Sequence, residues 1–216
     1  MYFGDIKFAF YLLVALVPAL VLHEYAHAAA ADRFGDPSPR RWGRLTLNPR
    51  RLVDPFGSLI LPGLALVLVA AGSGFFIPVF AYAKPMPLDP TYLRNPKRDS
   101  VRVVWAGLGA SLVLAAIGGL AMRVGLTGDA FRIAYAFLVV NAFMFLIQLM
   151  PVPGLDGSKL LVRVLRGRAR EVYVNLDEYL VLFMLLIFFL LGGPFFAIVS
   201  GLFGGICDVL AGAACP

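Results

Sequence analysis

The chain has 216 residues, of which 60% are hydrophobic and only 15% are charged, and its formal net charge is +6. This composition excludes an ordinary soluble domain, and it predicts an all-α polytopic membrane protein with about four to six membrane helices. Nucleic acid is a poor explanation for the positive charge, because the basic residues flank apolar runs and no aromatic-basic platform is visible.

The first predicted membrane helix covers residues 6–31 and is long enough to cross a bilayer at ~20 residues per span. It contains the chain's two histidines, His23 and His27, which stand four residues apart around Glu24. Residues four apart share one face of a helix, so both imidazoles can reach one metal ion. Glu24 has the place of the general base in the H-E-x-x-H arrangement of metalloproteases. The alternative, two structural histidines, would leave three polar groups without partners in lipid.

The next part of the chain alternates basic loops with apolar segments. Arginine-rich loops are predicted at 32–54 and 84–102, and they enclose an apolar segment at 56–83 that Pro and Gly residues interrupt. A regular span is predicted to follow at 103–122. We interpret 56–83 as a re-entrant or broken element without a net crossing, because both basic loops then face the cytoplasm, as the positive-inside rule requires.

A candidate third metal ligand follows the predicted span at 130–150. A hydrolytic zinc site needs three protein ligands and one open position. Since no histidine remains, we expect a carboxylate, and Asp156 directly follows this span in a segment rich in proline and glycine. The alternative is an ordinary Asp-Gly turn at a helix end. Asp156 can meet His23 and His27 only if the spans at 6–31 and 130–150 run in the same direction through the membrane.

The end of the chain, about residues 175–214, is predicted to be a C-terminal membrane region, either one crossing with a tail or a helical hairpin. We expect residues 1–216 to form a single integral-membrane domain, with a catalytic core at about 6–166. Cys207 and Cys215 form a disulfide if this end faces an oxidising compartment, and otherwise they are small unpaired apolar residues. Zinc ligation by these cysteines is a less favoured alternative.

These motifs resemble the site-2 protease family of intramembrane zinc metalloproteases, in its compact bacterial-type form without a PDZ or CBS domain. Residues 23–27 match the family's H-E-x-x-H motif, and residues 150–158 resemble its Pro-rich segment that leads to Asp-Gly, whose Asp is the third zinc ligand. Segments at 44–49, 54–57 and 83–87 resemble further parts of the compact subgroup. The resemblance covers most of residues 1–166.

The resemblance implies an enzyme that holds one Zn²⁺ per chain and hydrolyses a peptide bond in or near a transmembrane helix. The expected ligands are His23, His27 and Asp156, with Glu24 as the general base. The expected partners are a transmembrane protein substrate and the lipid bilayer, and the oligomeric state is left open. The expected location is a bacterial-type cell membrane, with the active site toward the cytoplasmic side.

The chain departs from the family pattern in two segments. The family usually has an Asn eight residues before the ligand Asp, where it helps to bind the substrate peptide, and this chain has Gln148. The family's central Gly-Pro-x-x-Asn is replaced at 107–111 by Gly-Leu-Gly-Ala-Ser. Asn141 is a nearby amide that can compensate in substrate binding, although an interhelical hydrogen bond is its favoured role.

These departures leave two alternative functions open. One is a catalytically impaired family member that binds membrane helices as a scaffold. The other is a metal-binding transporter or sensor, which would predict acids or histidines on several spans along a path. This chain instead concentrates such residues at one point.

Overall fold

The computed structural model describes residues 5–52, 54–60, 62–64, 67, 88–212 and 215–216. Every regular element in these residues is helical, which confirms the all-α prediction. The α-helices are α1 (Ile6–Arg33), α2 (Ser38–Arg41), α3 (Pro49–Leu52), α4 (Pro96–Arg123), α5 (Gly128–Gln148), α6 (Asp156–Leu161), α7 (Gly167–Asn175) and α8 (Leu180–Ala211). A π-helical turn at Pro55–Ile60 and short 3-10 turns at Pro90–Tyr92 and Leu176–Tyr179 lie between them.

Three of these helices, α1, α4 and α5, are long and apolar enough to cross a bilayer. Helix α8 has 32 residues and continues as one helix through Pro194, so the helical-hairpin alternative for this region is wrong. The C-terminal part of this helix, Ala197–Ala211, is apolar. The chain is therefore an integral membrane protein that crosses the bilayer more than once.

The helices form a bundle in which α1, α4 and α5 pack against one another and α8 packs against α4 and α5. Small residues bring these helices close together, as expected for a membrane bundle. A Cβ atom added at Gly118 would lie 2.7 Å from the Leu138 nitrogen, and one at Gly119 would lie 2.7 Å from Leu210 Cβ. The outer face of α1 exposes apolar side chains that suit lipid, among them Phe10, Val14 and Val17.

Ion pairs fix the direction of α1 relative to α5. Lys7 near the start of α1 pairs with Asp129 at the start of α5, with 2.8 Å between Nζ and Oδ2. Asp5, which caps the N-terminus of α1, pairs with Arg132 of α5 at 3.0 Å. The two helices therefore run in the same direction, as a shared metal site between their C-terminal ends requires.

Most of the predicted re-entrant element at 56–83 lies outside the described residues, so its structure stays a prediction. The chain on its two sides lies at one end of the bundle. The Arg94 N–H donates to the Phe34 carbonyl oxygen at 3.1 Å, and the Asp36 carboxylate accepts the Asp89 N–H at 2.9 Å. The chain thus returns to the end of α1 from which it left, as expected for a segment without a net crossing.

The opposite end of the bundle carries the cysteines. Cys207 and Cys215 form a disulfide across the C-terminal end of α8, so the other two predictions for them, unpaired apolar residues and zinc ligands, are wrong. The Arg123 guanidinium at the end of α4 donates to the Val209 carbonyl oxygen at 2.6 Å. The C-terminal ends of α4 and α8 therefore lie side by side.

Candidate metal centre

The structure brings the three predicted metal ligands together into one group, which we call the cluster. One carboxylate oxygen, Oδ2 of Asp156, lies 3.0 Å from Nε2 of His23 and 2.7 Å from Nε2 of His27. The two Nε2 atoms lie 3.1 Å from each other. All three side chains are buried, with residue exposures of 1% for His23, 3% for His27 and 4% for Asp156.

The two histidines reach one point because they stand one helical turn apart on the same face of α1. Their rings meet edge to face, with centroids 4.6 Å apart and an angle of 84° between the planes. This arrangement aims both Nε2 atoms at the same volume instead of stacking the rings.

Asp156 reaches that volume because the chain folds back immediately after α5. Gly154 takes a positive φ of 88°, which favours glycine, and α6 begins two residues later with Asp156 as its first residue. A Cβ atom at Gly157 would collide with the carbonyl oxygens of Leu149 and Met150. The Asp-Gly pair is therefore needed to bring the carboxylate against the end of α5.

Each histidine has a second partner on α4 that holds its ring. Nδ1 of His27 donates to the Val103 carbonyl oxygen at 2.8 Å, since a carbonyl can only accept. Nδ1 of His23 lies 2.9 Å from the hydroxyl oxygen of Ser111, which is fully buried. The Val103 contact leaves the Nε2 lone pair of His27 for the cluster, and the Ser111 hydroxyl can accept from Nδ1 of His23 and leave its Nε2 in the same state.

The supporting face of α4 is the part of the site that sequence reasoning did not assign. Val103, Gly107 and Ser111 stand four residues apart, so they share one side of α4. A Cβ atom at Gly107 would collide with the His27 ring, so this glycine leaves the space that the imidazole fills. The four-residue spacing of these positions is the feature of the sequence that could have indicated a shared face. The structure shows that the altered 107–111 segment contacts the histidines.

Glu24 lies next to His23 in sequence but outside the cluster. Its side chain is partly exposed, and it makes no hydrogen bond to any residue that the structure describes. A carboxylate in this position keeps its acceptor oxygens available for a proton, as a general base must.

Gln148 and Asn141, the two predicted substrate contacts, differ in position. The Gln148 side-chain oxygen accepts the Asp156 N–H at a long 3.4 Å, so this residue stands beside the cluster. Asn141 is fully buried, and its amide nitrogen donates to the Phe137 carbonyl of its own helix at 2.9 Å. Its amide oxygen has no hydrogen-bond partner among the described residues, so the expected interhelical hydrogen bond is not observed there.

The donor set suits zinc. Two imidazole nitrogens and one carboxylate oxygen are a usual set of protein ligands for a hydrolytic zinc ion, and their atoms all lie within 4.8 Å of one another. The second partners of the histidines are also of the kind that zinc sites use. The residues present therefore fit the ion.

Curated relatives carry names that agree with this chemistry. The chain is 30% identical over 188 residues to "Putative zinc metalloprotease YwhC" of Bacillus subtilis (strain 168), over 82% of this chain and 80% of the relative. It is 32% identical over 203 residues to "Putative zinc metalloprotease Rip2" of Mycobacterium tuberculosis (strain H37Rv), and the match covers 90% of this chain and 74% of the relative. The protein of the same name from Mycolicibacterium smegmatis is 32% identical over 212 residues, with the same coverage. No protein-family model and no solved structure matches the chain.

Proposed function

The chain belongs to the site-2 protease family of zinc metalloproteases, and from that membership we propose that it cleaves a peptide bond in or near a transmembrane helix of a membrane-protein substrate. The protein is a zinc metalloprotease with Zn²⁺ as its cofactor. Our proposal adds the setting of the reaction, the class of substrate and the roles of the residues.

The observation that carries the proposal is the convergence of His23, His27 and Asp156 on a point buried within a membrane bundle. We assign these three residues as the ligands of one zinc ion per chain. Two of them lie on a helix that is long and apolar enough to span the membrane. A peptide bond cleaved at this point must therefore enter the bundle from the lipid or from its surface.

When bound, zinc supplies a Lewis acid that polarises water and a carbonyl oxygen of the substrate. Glu24 accepts a proton from the attacking water at a carboxylate oxygen and gives it to the leaving amine. Gln148, next to the third ligand, is proposed to hold the substrate peptide by hydrogen bonds. The burial of the cluster limits the entry of bulk water, which strengthens these interactions.

The substrate is proposed to be a transmembrane helix that unwinds locally. Peptide bonds within a helix are shielded by neighbouring side chains, and their polar groups are already paired. An extended segment presents the carbonyl that a hydrolytic site needs, and the segment at 56–83 is proposed to bind or gate it. Residues 1–216 are proposed to form one domain, with the core at about 6–166 and the C-terminal membrane region at about 175–214.

The site is proposed to face the cytoplasm of a bacterial-type cell. The end of the bundle near the cluster carries the arginine-rich stretches at 33–51, 94–102 and 159–170, as the positive-inside rule expects of a cytoplasmic face. The opposite end carries Lys7 and Arg132, which acidic partners neutralise, and Arg123, which donates to the Val209 carbonyl oxygen. His27 precedes the end of α1 by six residues, which at about 1.5 Å per residue places the cluster roughly 9 Å below that end.

A cleavage assay tests this proposal. The purified full chain is reconstituted with single-pass reporters whose transmembrane segments contain a helix-breaking Gly-Pro pair between two soluble tags. Wild type should cleave within or beside the segment, and a zinc chelator should stop it. Glu24→Gln should keep its zinc but lose at least about 100-fold in rate, because the proton has no acceptor. Glu171→Gln, at an exposed position on α7, is the control and should cleave normally.

Each outcome separates the proposal from its rivals. Normal cleavage by the Glu24→Gln variant would show that Glu24 is not the base. Zinc-loaded wild type that binds the reporters and cleaves none would favour the scaffold alternative. Zinc uptake into sealed vesicles would favour the transporter.

A further inference from the structure

The third ligand has a charged partner of its own. We propose that Lys159 is a positioning residue for Asp156: its ammonium group holds one carboxylate oxygen so that the other alone faces the metal. This inference rests on the proposed zinc site. It concerns a residue that lies outside the H-E-x-x-H and Asp-Gly motifs.

The geometry divides the carboxylate of Asp156 between two partners. Oδ1 lies 2.8 Å from Nζ of Lys159, whereas Oδ2 lies 2.7 and 3.0 Å from the two imidazole nitrogens. The two oxygens therefore point to opposite sides. Because Lys159 has only donors, it cannot itself be a ligand in its charged form, and its contact stays on the side of Oδ1.

Lys159 can make this contact because it follows Asp156 by three residues on α6, where side chains at that spacing are neighbours. The Asp156 side chain is 6% exposed, whereas that of Lys159 is 46% exposed. The lysine thus reaches from the surface of the protein to a buried carboxylate and keeps part of its stem in contact with solvent. A buried carboxylate needs such a partner to keep its charge.

The contact completes a pattern that covers all three ligands. His23 is held by the Ser111 hydroxyl and His27 by the Val103 carbonyl, in each case through the ring atom that faces away from the cluster. Lys159 does the same for Asp156 through Oδ1. Each ligand is therefore fixed at the atom that does not face the metal, and second partners of this kind tune metal affinity.

The lysine contact has two consequences for the metal. Asp156 should bind through Oδ2 alone, which leaves the fourth position of a tetrahedral site open. The ammonium group also holds the carboxylate in one orientation, so Oδ2 does not turn away from the metal position. Without Lys159, Oδ1 is free to turn toward the metal and occupy the open position.

The test uses two substitutions and one matched control in the purified full chain. Lys159→Met keeps the aliphatic stem but removes the charge, and Lys159→Arg keeps a donor with the charge. Arg168→Met removes one positive charge from exposed α7, away from the cluster. Zinc affinity is measured by competition with a chelator, and the visible spectrum of the Co²⁺-loaded protein reports the coordination number. Thermal unfolding of the metal-free proteins checks that each variant folds.

We expect Lys159→Met to bind zinc roughly 10- to 100-fold more weakly, the usual range for such partners. Its Co²⁺ bands should weaken as the coordination number rises from four to five. Lys159→Arg should recover most of the affinity, and Arg168→Met should match wild type. A purely structural role for Lys159 would change thermal unfolding without changing the Co²⁺ spectrum.

The inference is overturned if Lys159→Met unfolds like wild type yet binds zinc as tightly and gives the same Co²⁺ spectrum. If wild type itself binds no zinc, the proposed function fails instead, so the two failures are distinguishable. If Lys159→Met does not fold, Lys159→Ala, which removes the contact at this half-exposed position, takes its place. The same weaker zinc binding and the same change in the Co²⁺ spectrum are expected, and wild-type values in folded Lys159→Ala would overturn the inference.

Discussion

At the scale of single residues, the absence of a side chain at Gly107 is as specific a feature of the site as the ligands are. The imidazole of His27 fills the space next to this glycine, and a Cβ atom there would collide with the ring. Gly109 lies two residues away on the same helix, and a Cβ atom there would meet nothing within 4 Å. The two glycines therefore form a matched pair for substitution by alanine.

We predict that Gly107→Ala binds zinc at least about 10-fold more weakly than wild type, because the added methyl group displaces a ligand ring. Gly109→Ala should bind zinc normally. Helix propensity favours alanine over glycine at both positions, so it cannot explain a difference between them. Zinc titration of both variants against wild type is the measurement, and equal affinities would show that the His27 ring does not need this space.

The sequence identifies Ser111 as a departure from the family pattern, but it does not predict the partner of its hydroxyl group. The comparison with Gly-Pro-x-x-Asn places this serine at the position of the final Asn. The Ser111 hydroxyl lies 2.9 Å from Nδ1 of His23, so the replacement keeps a polar group beside this proposed ligand. A sequence identifies the residue, but the partner of a short side chain depends on packing between helices.

At the scale of elements, the apolar runs located the long helices well, because a membrane span leaves a strong composition signal. The span predicted at 103–122 lies within α4, which begins earlier, at Pro96. Asn95 caps this helix through a hydrogen bond to the Arg98 N–H at 3.2 Å. The basic first turns belong to the helix but lie beyond the apolar run, so hydropathy alone places its start too late.

The C-terminal region, predicted as a single crossing or a hairpin, could not be resolved from the sequence. Pro194 and its neighbouring glycines favour a break in a soluble helix, yet α8 continues through them. Neighbouring helices can satisfy the backbone groups that a proline frees, so such residues are tolerated in membrane helices. Sequence patterns near 192–194 could not decide this point, because the helix-breaking tendency of glycine and proline in soluble proteins does not carry over to a membrane helix.

At the scale of the whole molecule, charge and redox chemistry both support the proposed orientation. The arginine-rich loops surround the end that holds the cluster, whereas the disulfide lies at the opposite end, where α4 and α8 finish together. Disulfides persist in oxidising compartments and positive loops face the cytoplasm, so the two signals agree without sharing any residue.

We predict that Cys215 reacts with a membrane-impermeant maleimide on intact cells only after a reductant has broken its disulfide with the buried Cys207. They are the chain's two cysteines, so the labelling is unambiguous. An Arg168→Cys variant that also carries Cys207→Ser and Cys215→Ser is the control, and it should react only after permeabilisation. Labelling of this control on intact cells would mean that the site faces outward.

The central claim is that two distant parts of the chain, α1 and the start of α6, hold one zinc ion between them. The most direct test is the amount of zinc bound per purified chain in wild type, in Asp156→Ala and in Asp129→Ala, which removes an acid at the opposite end of the bundle. We predict about one zinc for wild type and Asp129→Ala, and a loss of most of it in Asp156→Ala, because the third ligand is gone. Full zinc content at unchanged affinity in a folded Asp156→Ala protein would contradict the account.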